Sequence, residues 1–260
     1  MPFLPTPSLY GPLALGLLLA GCTGPSKDDT GAADDSGIDA VDPICTEPEP
    51  PSCVDEMILD LSLHDDKVSD GEVTTVVDGA DFVTNIDASA GGYSQAANNP
   101  WVYVRFGADG AERVDIDDES ALEDMTWHLA LRRYIVRVNS GDSGPSCVGA
   151  AAMLGYTYGE LTEVPAGMNY LQDDYYTDDC TFVNDSSGLE GSPQAAMSAW
   201  WEYPGCVATT EAPFLVQLED GRVIKLVVEK YYGGEGQDEC NTGGSTTEPG
   251  GFYQIRWTAM

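Results

Sequence analysis

Positive charge is what this sequence has least of. Its 260 residues include 11 Lys and Arg against 44 Asp and Glu, which gives a formal net charge of −33. Such a surface repels phosphate backbones and anionic bilayers, so the composition excludes nucleic-acid binding and electrostatic adsorption to membranes. Basic partners or divalent cations are compatible with it, although an acidic surface also serves simply to keep an exported protein soluble.

Histidine is also scarce, since the chain contains only His64 and His128. No Cys-x-x-Cys pair accompanies them, so we predict no zinc or other metal site. The run "GDSG" at 141–144 is similar to the nucleophile loop of trypsin-like proteases. A Ser-His-Asp site needs a base that a third group orients, and neither histidine has the sequence context for that role. We therefore expect a protein that is not an enzyme.

The apolar segment near the N-terminus is short. It reads "LALGLLLAGC" from Leu13 to Cys22, and a membrane-spanning helix needs about 20 such residues. The segment has the proportions of a signal peptide and ends in a bacterial lipobox, in which Cys22 becomes the acylated N-terminus. We predict a signal peptide over residues 1–21 and a lipoprotein of the cell envelope, sorted to the outer membrane and bound to membrane lipid through Cys22.

Large apolar residues are almost missing from residues 22–56. This segment is rich in Gly, Pro, Ser, Ala and Asp, and it contains ten acidic residues and one basic residue. It cannot bury enough surface to offset the entropy of ordering it. We predict a disordered tether, extended by charge repulsion, between the lipid anchor and a folded domain over residues 57–260.

Six cysteines remain once Cys22 is assigned to lipid. An even number in an exported chain indicates three disulfides, for which fifteen pairings are possible. We expect sequential pairing: Cys45–Cys53, Cys147–Cys180 and Cys206–Cys240.

Short β-branched and aromatic runs, bounded by Gly, Asp and Asn, predict a mainly β domain of antiparallel sheets. The predicted strands are Met57–Leu63, Glu72–Asp78, Phe82–Asp87, Trp101–Phe106, Glu112–Ile116 and Met125–Asn139. A hairpin with a type I′ turn is predicted at Asp220-Gly221, and "GFYQIRWT" at 251–258 provides a further strand. Residues 141–213 have little periodicity, and long irregular segments on a rigid sheet often carry the binding function.

The order of several motifs resembles the HmuY family of lipid-anchored haem-binding proteins. These motifs are Asp87-Ala88-Ser89, Trp101/Tyr103, Trp127/Ala130/Arg133, Asn139/Gly141 and Gly221/Lys225/Leu226/Tyr231. The resemblance runs from about residue 83 to 258. It implies an all-β fold with haem or a porphyrin in a cleft at one end, and two axial His or Met ligands from segments beyond the central strand.

The resemblance leaves two questions about the ligand. No histidine follows His128, so Met153 and Met168 are the candidate haem ligands, and a protein of the same fold that binds another ligand or partner is the alternative. Scarce positive charge is also concentrated in the central run, at Arg132, Arg133 and Arg137. We expect Arg133 and Arg137 either to pair with carboxylates of neighbouring strands or to contact an anionic group of the ligand.

Overall fold

Strands dominate the described residues, 43–189 and 191–260, of this computed structural model. The mainly β prediction is confirmed. The predicted signal peptide, Cys22 and the tether as far as residue 42 lie outside the described residues. The strands are β1 (Val73–Asp78), β2 (Asp81–Asp87), β3 (Val102–Phe106), β4 (Ala111–Val114), β5 (Leu129–Arg132), β6 (Ile135–Val138), β7 (Gly149–Ala152), β8 (Trp201–Glu202), β9 (Ala208–Thr209), β10 (Phe214–Gln217), β11 (Val223–Tyr232) and β12 (Gly250–Ala259). The α-helices are α1 (Val54–Asp60) and α2 (Gly236–Asn241), and 3₁₀ turns cover Tyr93–Asn98, Ser120–Leu122 and Ser198–Trp200.

The strands form a sandwich of two antiparallel sheets and a small third sheet. One sheet has six strands in the order β1-β2-β12-β11-β10-β7, the second has four in the order β4-β3-β5-β6, and β8 pairs with β9. Apolar side chains of both large sheets meet in the main core, because alternate residues of a strand point to the same face. Among them are Val104, Leu129 and Val138 of the four-stranded sheet and Phe214, Leu226 and Trp257 of the six-stranded sheet.

The hairpin at Asp220-Gly221 is confirmed, but its predicted turn type is wrong. Gly221 has a φ of +85°, whereas Asp220 is not among the residues with positive φ. The Gly221 N–H donates to the Leu218 carbonyl, and the Leu218 N–H donates to the Arg222 carbonyl. The loop therefore has three residues and places one glycine in the left-handed region, rather than two residues in a type I′ turn.

The central run is a hairpin rather than the single predicted strand Met125–Asn139. β5 and β6 pair with Ala130 opposite Arg137, and the chain reverses at Arg133, whose φ is +53°. The reversal changes which arginines share a face of the sheet. Arg132 and Arg137 now lie on the same side as Ala130, while Arg133 belongs to the turn.

The first predicted strand, Met57–Leu63, is also wrong, because residues 54–60 form α1. Met57 and Leu61 are buried and four residues apart, which is the helical spacing, and Leu59 between them is exposed. Asp55 and Glu56 lie in the first turn, where carboxylates interact favourably with the helix dipole. The helix packs on the outer face of the four-stranded sheet, against Trp101 and Tyr103.

All six cysteines of the described residues form disulfides, but two of the three predicted pairs are wrong. The bonds are Cys45–Cys147, Cys53–Cys180 and Cys206–Cys240, so only the last pair is as predicted. Cys45 and Cys53 bind separate loops of the domain instead of each other. Residues 45–56 are therefore attached to the domain, and the predicted boundary between tether and domain at residue 57 is too late.

Candidate ligand-binding cleft

Arg132 and Arg137 are buried beside a tryptophan. Their guanidinium carbons lie 4.5 and 4.7 Å from the centre of the Trp101 ring, a cation–π arrangement. Arg132 donates to the carbonyls of Ser62, Asn99 and Leu61. Among the described residues neither arginine has a carboxylate oxygen within 4.0 Å, so the predicted pairing with strand carboxylates is wrong for Arg137.

Arg133 connects two parts of the chain that carry the family resemblance. Its backbone N–H donates to the carbonyl of Ala88, and its side chain donates to the carbonyls of Ser89 and Gly250. The side chain thus holds the Asp87-Ala88-Ser89 segment against the hairpin turn. Arg133 is half-buried and has no carboxylate partner among the described residues, so its contact with a ligand anion stays a prediction. Arg137 is fully buried and cannot reach a ligand without rearrangement of the core.

Hydrogen bonds connect Arg137 to a buried carboxylate through a serine. Its Nε and Nη2 donate to the hydroxyl and carbonyl oxygens of Ser143, at 3.1 and 2.7 Å. The Ser143 hydroxyl donates to Oδ2 of Asp173 at 2.5 Å. The same carboxylate accepts the backbone N–H groups of Val138 and Ala196. Asp173 therefore joins strand β6 to two loops that surround it.

Gly141 makes the approach of these loops possible. It has a φ of +56°, and a Cβ at this position would lie 2.1 Å from the Asp173 carbonyl oxygen. The next residue, Asp142, donates its N–H to that same carbonyl. Only glycine combines this backbone conformation with so close a contact, which accounts for the glycine of the Asn139-x-Gly141 motif.

Burial sets the protonation of Asp173. Loss of solvation raises its pKa to about 6, although the hydrogen bonds from Ser143, Ala196 and Val138 and the charge of Arg137 act in the opposite direction. Because this pKa is raised above its ordinary value, the folded state binds the proton more tightly than the unfolded state. The resulting stabilisation is complete below about pH 4 and disappears as the pH rises through 6.

We therefore expect the contribution of Asp173 to the free energy of unfolding to fall by about 2 kcal/mol between pH 4 and pH 7. Urea denaturation across this range measures the slope. The Asp173→Asn variant cannot titrate at this position and should show a flatter profile. Equal slopes in the two proteins would show that Asp173 does not titrate as proposed.

Asp173 lies at the base of a cleft of about 790 Å³, which is within the usual range for small-ligand sites. The cleft is bounded by the segment 44–52, the loop 141–147, residues 170–174 and residues 194–196. Its polar side chains are Glu49, Asp142, Asp173, Asp174, Ser52, Ser146, Gln172, Gln194, Gln217 and Tyr170. No Lys, Arg or His is among the described residues that line it, so the cleft is strongly electronegative.

The carboxylates of the cleft raise one another's proton affinity. Burial raises the pKa of Asp142, and the charge of Asp174 adds to that effect, while hydrogen bonds from Tyr176 and Tyr175 lower it. A ligand that carries carboxylates would meet the same repulsion. The geometry thus favours a ligand that brings hydrogen-bond donors and no negative charge.

Met153 and Met168 belong to one apolar cluster that adjoins the cleft through Tyr170, but neither methionine lines the cleft. Both belong to a small cluster on the outer face of the six-stranded sheet, with Leu161 and Leu215. Met153 is 7% exposed. Lys225 covers the same face and donates to the carbonyls of Tyr158 and Leu161. Neither methionine lines the cleft described above, so their role as haem ligands stays a prediction.

The two histidines are committed to structural contacts. His128 is fully buried. Its Nδ1 accepts the Phe106 N–H, and its Nε2 lies 3.1 Å from a Glu219 carboxylate oxygen. That contact does not meet the geometry of a hydrogen bond. Burial acts to raise the pKa of Glu219, but the interaction with His128 and a backbone hydrogen bond act against it, and the pKa is lowered. His64 contacts the Ala97 carbonyl through Nε2.

The comparisons with known proteins agree with this architecture. The model of a family described as HmuY protein matches residues 97–243, which is more than half of the chain. This chain belongs to the HmuY family. The resemblance in the motifs is thus confirmed, and the matched region extends from the segment before β3 to the end of α2. No curated protein matches the chain.

Several solved structures are similar to this HmuY-family chain. One, described as a HmuY-like heme-binding protein from Bacteroides vulgatus, is 18% identical with a TM-score of 0.44, and the match covers 72% of this chain and 97% of that one. A lipoprotein from Bacteroides fragilis is 16% identical with a TM-score of 0.40, over 70% and 93% of the two chains. The apo form of a Tannerella forsythia HmuY analog is 15% identical with a TM-score of 0.38, over 75% and 99%.

Sequence reasoning located the region of the cleft but missed its residues. The irregular segment 141–213 was expected to carry binding, and it contributes Asp142, Asp173 and Gln194. Ser143 was missed, because no pattern in "GDSG" indicates a hydrogen bond to a residue 30 positions later. The wall formed by residues 44–52 was missed because that segment was predicted to be tether.

Proposed function

We propose that this protein is a non-catalytic, lipid-anchored binding protein of the bacterial cell envelope, with the ligand in the cleft above Asp173. Membership of the HmuY family supports a binding role, and the lipobox at Cys22 supports anchoring to the outer membrane. No described helix is long and apolar enough to cross a bilayer. The observation that carries the proposal is the cleft itself, which is large, polar and built around a buried carboxylate network.

A non-catalytic role is supported by the position of Ser143. Its hydroxyl donates to Asp173 and also contacts the Tyr175 hydroxyl, at 2.8 Å. Neither histidine is among its hydrogen-bond partners, so it has no base to activate it as a nucleophile. The described residues also include no group of three or more His, Cys, Asp or Glu arranged to hold a metal ion.

The donor set of the cleft does not fit haem. Haem iron in proteins is bound by His, Met, Cys thiolate or Tyr. Of these the cleft has Tyr170 alone, because Cys147 is in a disulfide, and burial raises the pKa of the Tyr170 hydroxyl, which disfavours the phenolate. The four carboxylates would also repel the haem propionates. The ligand is therefore a polar molecule without net negative charge rather than iron-ligated haem.

Haem capture is the second candidate, because a heme-binding description accompanies one similar structure and because Met153 and Met168 share one cluster. This function requires that cluster to open, since both thioethers pack against Leu161 and Leu215.

Titration of the full chain with haemin, with disulfides intact, separates the two candidates. We expect no saturable one-to-one shift of the Soret band in the wild type. The Met153→Leu/Met168→Leu variant preserves apolar volume and removes both sulfurs. A saturable shift lost in that variant would establish methionine ligation, and one lost in Tyr170→Phe would establish ligation in the cleft. Either result would overturn the proposed ligand class.

A further inference from the structure

The wall of the cleft at residues 45–53 is a strap that is fastened at both ends by disulfides. Cys45 is bonded to Cys147 in the loop after β6, and Cys53 is bonded to Cys180. The residues between them read "TEPEPPS", in which no helix or strand occurs. Glu49, Pro50, Pro51 and Ser52 of the strap line the cleft, and so does Cys147.

Few noncovalent contacts hold this strap. The Glu49 N–H donates to the Pro145 carbonyl, and just before the strap the Ile44 N–H donates to the Glu219 carbonyl, each at 2.7 Å. Three of the seven residues between the cysteines are prolines, which have no N–H to donate. Most of the strap is solvent-exposed, with Pro51 as its buried contact. Segments with so few contacts open at low free energy once a covalent restraint is removed.

Charge on the strap opposes closure. Glu49 lines the cleft together with Asp142 and Asp174 on the opposite wall. Their mutual repulsion is unscreened by any basic side chain of the described lining, and it grows as ionic strength falls. No basic side chain of the described lining attracts Glu49 to the cleft, so the disulfide at Cys45 supplies the covalent attachment at this end of the strap.

Access distinguishes this disulfide from the other two. Cys45 and Cys147 are both half-buried, so either sulfur can be approached from solvent. Of the other four cysteines only Cys180 is half-buried, whereas Cys53, Cys206 and Cys240 are 4%, 6% and 0% exposed. Thiol–disulfide exchange requires a thiolate to reach a sulfur atom, so the Cys45–Cys147 bond is the one that an external dithiol reaches first.

We propose that the Cys45–Cys147 disulfide is a redox latch that keeps the strap closed over the cleft. A dithiol thiolate attacks one sulfur and breaks the S–S bond, which leaves a mixed disulfide and one free cysteine thiol. The second thiol of the reductant then releases the other cysteine as a thiol, and the reductant leaves as a disulfide. The strap, still held at Cys53, swings away and opens the cleft. This inference rests on the proposed function only in taking the cleft as the ligand site.

Graded reduction of the full chain with dithiothreitol, followed by alkylation and mass spectrometry, tests the latch. We expect Cys45 and Cys147 to be alkylated roughly tenfold faster than the other cysteines, because of their access. Hydrogen exchange in the partly reduced protein should increase at Ile44 and Glu49 and in the facing loops, with β11 and β12 unchanged.

The Cys45→Ser/Cys147→Ser variant should reproduce the exchange pattern of the partly reduced protein without reductant, and Cys206→Ser/Cys240→Ser is the matched control. Reduction of another disulfide first, or unchanged exchange over 44–52 after reduction, would overturn the latch. The experiment uses no ligand, so its failure leaves the haemin result and the proposed function to be judged separately.

Discussion

Replacing Arg137 with Met is expected to lower the free energy of unfolding by about 3–5 kcal/mol, because it removes one partner of a buried charge network. The side chain is fully buried, and it supplies two hydrogen bonds to Ser143. Without it, the Ser143 carbonyl loses a donor, and Asp173 loses the positive charge that lowers its pKa. Urea denaturation at pH 7 measures the loss.

The same variant should be less impaired at pH 5 than at pH 7. Removal of the guanidinium raises the pKa of Asp173 further, so protonation relieves the uncompensated charge as the pH falls. Arg105→Met is the matched control, since Arg105 lies on strand β3 of the same sheet with an exposed side chain. Its replacement should change stability by less than about 0.5 kcal/mol. Equal losses in the two variants would refute a special role for Arg137.

Loss of the Cys53–Cys180 disulfide is expected to destabilise the protein by about 5 kcal/mol in the chain-entropy model. The bond joins residues 127 positions apart, and Cys53 immediately precedes α1. Without it, α1 can separate from Trp101 and Tyr103, which would expose the outer face of the four-stranded sheet. Thermal or urea unfolding of Cys53→Ser/Cys180→Ser, under non-reducing conditions, measures the effect.

Cys206→Ser/Cys240→Ser provides the comparison for that prediction. Its loop is 34 residues long, so the same model gives a loss of about 4 kcal/mol. The two variants should also differ in which part of the structure is disturbed, because only Cys53→Ser/Cys180→Ser releases the attachment of α1. If exchange and fluorescence show Trp101 still buried in Cys53→Ser/Cys180→Ser, packing alone holds the helix in place.

Local sequence was sufficient to predict the secondary structure wherever a short-range pattern determines it. Short β-branched and aromatic runs bounded by Gly, Asp and Asn predicted β1, β2 and β3, because such residues favour the extended backbone. Asp220-Gly221 predicted the reversal between β10 and β11. Local sequence was insufficient for residues 57–61, where the apolar residues fit two periods. Met57, Leu59 and Leu61 have the two-residue spacing of a strand, while Met57 and Leu61 alone have the four-residue spacing of a helix. The face offered by Trp101 and Tyr103 decides for the helix.

The candidate site was less accessible to sequence reasoning than the fold. Asp173, Ser143 and Arg137 are separated by up to 36 positions, and nothing in their local context marks them as partners. Met153 and Met168 pack with the same apolar cluster, and the sequence contains no signal that distinguishes such a cluster from a ligand cleft.

By itself the sequence determined the acidity of the surface, the β class, the number of cysteines available for disulfides and the family. Those properties depend on composition, local periodicity and ordered motifs. Only the tertiary structure decided which cysteines pair, that the central arginines bind backbone carbonyls and a serine, and that residues 45–53 close a cleft. Each of these depends on which distant segments meet, and that is set by the packing of the two sheets rather than by any residue's neighbours along the chain.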